Sequence, residues 1–122
     1  MSYKVLLIDD SSLMRKLVSR SLRQIDLDID KIFEASNGLE GLEQLTAGVP
    51  DLILCDWNMP EMDGITFVQE ACKKGAPPII MLTTEMSDGK KAEALNAGAK
   101  GYITKPFTPE RIAEVIQQVM GS

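Results

Sequence analysis

Two short apolar runs, free of charge and each ending at carboxylates, constrain this chain most. Val5, Leu6, Leu7 and Ile8 lead into Asp9 and Asp10, and Leu52, Ile53, Leu54 and Cys55 lead into Asp56. Unbroken apolar runs of this length suit parallel strands covered on both faces, which leave no side for polar alternation. If the two strands are parallel neighbours, their C-terminal ends bring three acids to one spot. Open α/β sheets take up ligands in the crevice at such strand ends, where strand addition reverses direction. Three clustered carboxylates repel, so one would take up a proton near neutral pH unless a cation or lysine joins them. An oxygen-only ligand set that leaves coordination positions for water and a phosphate suits Mg2+, whereas zinc prefers nitrogen and sulfur. The chain has no histidine, and its two cysteines are too few for a zinc cluster.

The rest of the chain alternates in the same manner. After the first strand, Ser11 or Ser12 can cap a helix with Met14, Leu17, Val18, Leu22 and Ile25 at helical spacing. Residues 29–35 carry Ile32 and Phe33 between charges, the half-polar pattern of an edge strand. Residues 37–46 predict a short helix with Leu39, Leu42 and Leu45 inward, stopped by Gly48 and Pro50. Beyond Asp56 a loop over 57–62 precedes a helix capped by Asp63 that buries Ile65, Val68 and Cys72 and ends by Gly75. Residues 79–82 form a fourth apolar strand ending at Thr83 and Thr84. Ser87 or Asp88 opens a helix over 90–97 with only Ala92 and Leu95 facing inward, closed by Gly98 in a left-handed cap. A fifth strand, 101–104, is broken by Lys105 and Pro106. Thr108 then caps a last helix with Pro109 in its first turn and Ile112, Val115, Ile116, Val119 and Met120 as its buried stripe. Five strands alternating with five helices, in pieces of βαβ size, specify an α/β fold with a doubly wound parallel sheet and right-handed crossovers.

Composition narrows the function classes. At 122 residues, 1–122 is expected to be one domain with one core, and 44% hydrophobic with 25% charged residues is the balance of an ordinary soluble globular protein. No apolar run approaches the ~20 residues of a membrane-spanning helix, and residues 1–4 do not open a signal peptide, so a cytoplasmic protein is expected. A net charge of −5 argues against nucleic acid as partner, because that binding needs lysine and arginine on phosphates, and points to a protein partner. Cys55 and Cys72 are both expected to be buried, reduced thiols.

Every strand except the second ends in a polar group able to serve one site: Asp9 and Asp10, Asp56, Thr83, Lys105. Singly, each has a structural alternative, since Asp after a strand is often a turn former or helix cap. Together they share one sheet edge. These residues resemble the receiver domains of bacterial response regulators and, within them, the single-domain chemotaxis regulators. The resemblance spans essentially the whole chain. It is carried by Asp9 and Asp10; by Asp56 with Trp57, Asn58, Met59 and Pro60 behind it; by Asp63 and Gly64; by Thr83; and by Lys105, Pro106, Phe107 and Thr108.

The resemblance implies a five-stranded (βα)5 flavodoxin-like receiver fold with strand order 2-1-3-4-5 and no output domain. It implies that Asp56 accepts a phosphoryl group from a histidine kinase, with Mg2+ held by Asp9, Asp10, Asp56 and the backbone carbonyl of Asn58. It implies that Lys105 pairs with the phosphoryl oxygens, aimed by a cis peptide to Pro106. Thr83 would bond the phosphate and, drawn inward, open room for Tyr102 to turn from exposed to buried. Asn58 and Glu85 would tune dephosphorylation. The partners implied are the kinase, the flagellar motor switch or another output protein, and a phosphatase; the chain is expected to be a monomer that does not bind membranes. On this reading it is a phospho-accepting switch that assists its own phosphorylation and dephosphorylation rather than an enzyme.

Without the resemblance, Tyr102 reads equally as a half-buried core tyrosine. Trp57 reads as a neighbour of the acidic pocket or as a partly exposed loop aromatic, and Phe107 as core rather than switch. Thr84 stands where the chemotaxis regulators have alanine, and the helix at 90–97 differs from theirs on the surface that the family uses for output.

Other readings differ in class. A phosphatase working through an aspartyl-phosphate would want a second acid two residues after the first, and Asn58 stands there. A flavodoxin-like electron carrier would need a loop after the first strand that welcomes a flavin phosphate, and here that loop is acidic. Within the receiver class, the alternative is a receiver outside chemotaxis, either a stand-alone phosphate sink or a fragment of a transcription regulator.

Overall fold

The uncharged runs form the centre of the sheet. In the computed structural model, which describes residues 2–25, 27–48, 50–57, 59, 62–84 and 87–120, β1 (Tyr3–Ile8) and β3 (Leu52–Asp56) are parallel neighbours. Val5 lies opposite Leu52 and Ile8 opposite Cys55. The half-polar strand β2 (Ile29–Ala35) takes the outer side of β1, as its pattern predicted. β4 (Ile79–Thr83) and β5 (Gly101–Thr104) extend the other side, giving the all-parallel order 2-1-3-4-5. Strand addition reverses direction between β1 and β3, so the crevice expected from the sequence opens at their C-terminal ends.

Five helices cover the two faces: α1 (Ser12–Gln24), α2 (Gly38–Ala47), α3 (Gly64–Lys73), α4 (Asp88–Ala97) and α5 (Pro109–Met120). Successive strand residues feed opposite layers, because side chains alternate across a strand. Val5 and Leu7 join the α1/α5 layer with Val18, Leu22, Ile112 and Ile116. Leu6 and Ile8 join the α2/α3/α4 layer, with Phe67 and Val68 at its centre. Caps stand where the sequence placed them, except that Asn37, read as the first residue of its helix, is a cap instead. Ser11, Asn37, Asp63 and Ser87 each accept from the N–H three residues on, and Thr108 Oγ1 accepts from Arg111 N–H. Gly98 closes α4 at φ 122°, a left-handed conformation that favours glycine.

The helical stripes are narrower than the spacing suggested. Leu17, Leu39 and Leu95 are exposed, as is Ala92, and the one buried residue of α4 is Ala94. In α1 the buried line runs through Val18 and Leu22, and Leu17, about 100° around the axis from Val18, falls outside it. Val119 and Met120 are only partly buried. In α3, Phe67 and Ala71 take inward positions that the sequence reading did not assign, and Cys72, expected inside, is exposed. The ring of Phe67 lies over Gly41 of α2, where an added Cβ would stand 2.9 Å from Phe67 Cε1 and 2.5 Å from Ile8 Cδ1. Phe67→Ala should therefore lower unfolding free energy in denaturant titration by about 3–5 kcal/mol. Cys72→Ser should stay within about 0.5 kcal/mol of the parent. Equal losses would mean that the inward face of α3 is wrongly assigned.

Candidate functional site

Each strand end delivers its group for a local reason. β1 stops as its ladder is completed by Asp9 N–H, which donates to Ala35 carbonyl at 3.1 Å, and Ser11 then caps α1. Asp56 is the last residue of β3, opposite Leu82, and Trp57 N–H donates to Leu82 carbonyl at 2.9 Å. The start of α3 presses against this end of β3: Gly64 N–H donates to Trp57 carbonyl at 2.8 Å, and a Cβ on Gly64 would stand 2.6 Å from Asp56 carbonyl oxygen. Only glycine fits there. Lys105 N–H donates to Thr83 carbonyl at 2.7 Å, so the turn after β5 is fastened to the end of β4. The Lys105–Pro106 peptide is cis.

The carboxylates of Asp9, Asp10 and Asp56 meet with ligand oxygens within 4.8 Å of one another, Asp9 and Asp56 buried and Asp10 exposed. Lys105 Nζ lies 3.1 Å from Asp56 Oδ1 and 3.6 Å from Asp9 Oδ2. Three carboxylates against one ammonium leave this cluster with surplus negative charge. Asp9 shows the consequence. Burial raises its pKa above the ordinary carboxylate value, and Asp56 and Asp10 push the same way. Ser11 N–H, donating to Oδ1 at 2.9 Å, and the Lys105 ammonium pull against them. Asp9 Oδ2 is buried and accepts no hydrogen bond. An orphaned buried oxygen in an all-oxygen, over-negative cluster fits a hard divalent cation. Cys55 cannot compete as a nucleophile. Burial first, then Asp56 and Asp9, hold its thiol well above its usual pKa, and it stays protonated with Sγ 3.3 Å from Asp56 carbonyl oxygen.

Of the other residues named from the sequence, Trp57 directly follows Asp56 and the rest stand at different places in the fold. Thr83 is fully buried at the end of β4, the neighbour of β3. Thr84 is exposed, and Phe107 packs half-buried on the α1/α5 layer. Trp57 is buried, so the reading of a partly exposed loop aromatic is set aside; its ring lies under Lys90, Nζ 5.1 Å from the centroid. Tyr102 is half-buried beneath Lys91, Nζ 5.2 Å from its ring. Asn58 and Glu85 lie outside the described residues.

Three contacts had no counterpart in the sequence reading: Lys90 over Trp57, Lys91 over Tyr102, and Arg15, whose Nη1 donates to Asp9 carbonyl and whose Nε donates to Glu34 Oε1 at 2.8 Å. For Arg15 there was a signal, a cation in the first turns of a helix, where the macrodipole disfavours it.

Comparison with known proteins agrees with this geometry. Residues 5–117 match the model of the response regulator receiver domain. The chain is similar to chemotaxis protein CheY1 of Helicobacter pylori, 39% identical over 98% of either chain. It is also similar to a CheY homolog of Campylobacter jejuni, 41% identical over 98% of this chain and 93% of that one. Among solved structures it is similar to Vibrio cholerae chemotaxis protein CheY4, with a TM-score of 0.88 and 36% identity over 98% of this chain and all of the other.

Because its raised pKa makes charged Asp9 a cost to the folded state, Asp9→Asn should stabilise the metal-free protein at pH 7 and raise its Tm. The sign follows from linkage. The cost is present above the folded-state pKa and disappears as pH falls through it, so the variant's advantage should shrink in acid. Thermal melts in chelator at pH 7 and pH 4 check this, and an advantage that grows in acid would contradict it.

Proposed function

The chain belongs to the response regulator receiver family, and from that premise we propose that it is a phosphorylation-activated switch in which Asp56 accepts a phosphoryl group from a histidine kinase. The observation that carries the reading is Lys105 Nζ, 3.1 Å from Asp56 in the same cluster as Asp9 and Asp10. The Asp56 carboxylate attacks phosphorus in line, the bond from phosphorus to the kinase histidine breaks, and an aspartyl phosphate forms. There is little covalent work for the protein beyond this, so rate comes from alignment and from countercharge on the phosphoryl oxygens. Asp9, Asp10 and Asp56 would hold Mg2+, which when bound supplies part of that countercharge.

Lys105 turns from the carboxylate to the phosphoryl oxygens as the charge moves outward. Thr83, at the end of the adjacent strand, bonds the new phosphate through its hydroxyl. Its inward movement makes room for Tyr102, half-buried next to β4, to turn further in. The added charge of ~1.5–2 thereby changes a surface as well as a pocket. In this role the protein assists its own phosphorylation and hydrolysis as a cytoplasmic, monomeric switch.

The groove between α4, β5 and α5 carries Lys91, Lys100 and Arg111 beside Leu95, Tyr102 and Val119. On a chain of net charge −5, this basic and apolar strip suits an acidic amphipathic segment of an output protein, the flagellar motor switch in the chemotaxis reading. Among the described residues no helix is long and apolar enough to cross a membrane.

Trp57, next to the acceptor, serves as the probe. Mg2+ should quench its fluorescence, a small acyl phosphate should change it again, and the second change should vanish in Asp56→Asn. A signal indifferent to both additions would remove the pocket from its proposed role. At the output groove, Lys91→Ala should weaken binding of an acidic motor-switch peptide to the beryllofluoride-loaded protein about five-fold. Equal peptide affinity with and without the phosphoryl analogue would exclude the motor while leaving the phosphorylation chemistry standing.

A further inference from the structure

Arg15 is placed against local electrostatics. It stands in the first turns of α1, which carry no acidic residue, with its side chain mostly buried beside a pocket that would hold a dication. A helix N-terminus disfavours a cation, and so does a bound metal nearby. Such violations of a local rule occur where another requirement outweighs them.

The requirement is visible at Asp9. Its backbone N–H donates to Ala35 carbonyl at 3.1 Å, and its Oδ1 accepts from Ser11 N–H at 2.9 Å. Its carbonyl accepts from Arg15 Nη1, while Arg15 Nε is held by Glu34 Oε1 at 2.8 Å. Three of the four polar atoms of Asp9 are thus committed to the protein, and the one left over, Oδ2, is the orphan that faces Lys105. Glu34 and Ala35 are consecutive residues at the end of β2, the strand whose end delivers no group to the pocket. Through Arg15 that strand enters the site.

We infer that Arg15 is a positioning residue for the metal: its fork, anchored on Glu34, fixes the Asp9 peptide so that Oδ2 and the following Asp10 carboxylate are set for one ion. The inference rests on the metal reading above and goes beyond it, since Arg15 touches neither the ion nor the phosphoryl group. A lysine cannot replace it, because one ammonium does not span Asp9 carbonyl and Glu34 in a planar fork.

Charge and position predict opposite signs, which makes the test decisive. By charge alone, removing a cation beside the pocket should tighten Mg2+ binding. If Arg15 positions Asp9, Arg15→Gln should weaken it about ten-fold, the scale on which residues behind metal ligands act. Mg2+ dissociation constants would be measured by Trp57 fluorescence and by calorimetry for the wild type, Arg15→Gln, Arg15→Lys and Glu34→Gln, with chelator melts alongside. Arg15→Lys should fail to restore the affinity, and Glu34→Gln, a half-exposed site that the fold tolerates, should show a smaller loss in the same direction. Affinity unchanged or tighter in Arg15→Gln, or undiminished in Arg15→Lys, which keeps the charge, overturns the inference, even if both lower Tm. Should Arg15→Gln not fold, Arg15→Lys decides the matter, since it keeps the charge and loses only the fork. A wild type that binds no Mg2+ takes the metal reading and the inference down together, whereas a wild type that binds beside indifferent variants removes the inference alone.

Discussion

Repulsion among the carboxylates of Asp9, Asp10 and Asp56 is the force that the rest of the structure is arranged to contain. Burying like charges is costly, and each costs more as water is excluded. The chain contains the cost with one ammonium, from Lys105, and with N–H groups aimed at Asp9 and its peptide. Holding these groups against one another needs a stiff frame. The central strands β1, β3 and β4, buried on both faces and paired in register, provide it. The acids cannot relax apart without breaking sheet hydrogen bonds, so their oxygens stay clustered.

The covering helices divide the labour unevenly. α5 buries a stripe of Ile112, Val115 and Ile116, and α1 buries Val18 and Leu22, so one face of the sheet is firmly closed. α4 buries Ala94 and exposes Leu95. Its first turn instead reaches the sheet through Lys90 over Trp57 and Lys91 over Tyr102, contacts worth about 0.5–2 kcal/mol each. One of these aromatics follows Asp56 and the other lines the groove between α4, β5 and α5. The helix that buries least therefore lies between the acidic pocket and this groove.

The strand ends were legible because each run stops where its apolar composition stops, and the caps because Ser, Asn, Asp and Thr stand at helix starts for a local hydrogen-bonding reason. Helix faces were less legible. A leucine at helical spacing can lie on the edge of the stripe, and whether Leu17, Leu39 or Leu95 is covered depends on how far the neighbouring helix and sheet extend. For the same reason Cys72, expected inside, is exposed, and Phe67, given no place by the sequence, is buried. Neither Arg15 nor the two lysines of α4 could be paired in advance, since each partner lies in a different element of the fold.

By itself, then, the sequence determined the alternation of elements, the parallel sheet and the set of groups delivered at its edge, because those follow from short-range patterning of apolar and polar residues. Which groups come within hydrogen-bonding reach was decided only in three dimensions. Lys105 reaches Asp56 across 49 residues of chain, and Arg15 joins Asp9 to Glu34, 19 residues beyond it. Such contacts are set by strand order and register, and a distance of a few ångströms between segments far apart in the chain has no local signature.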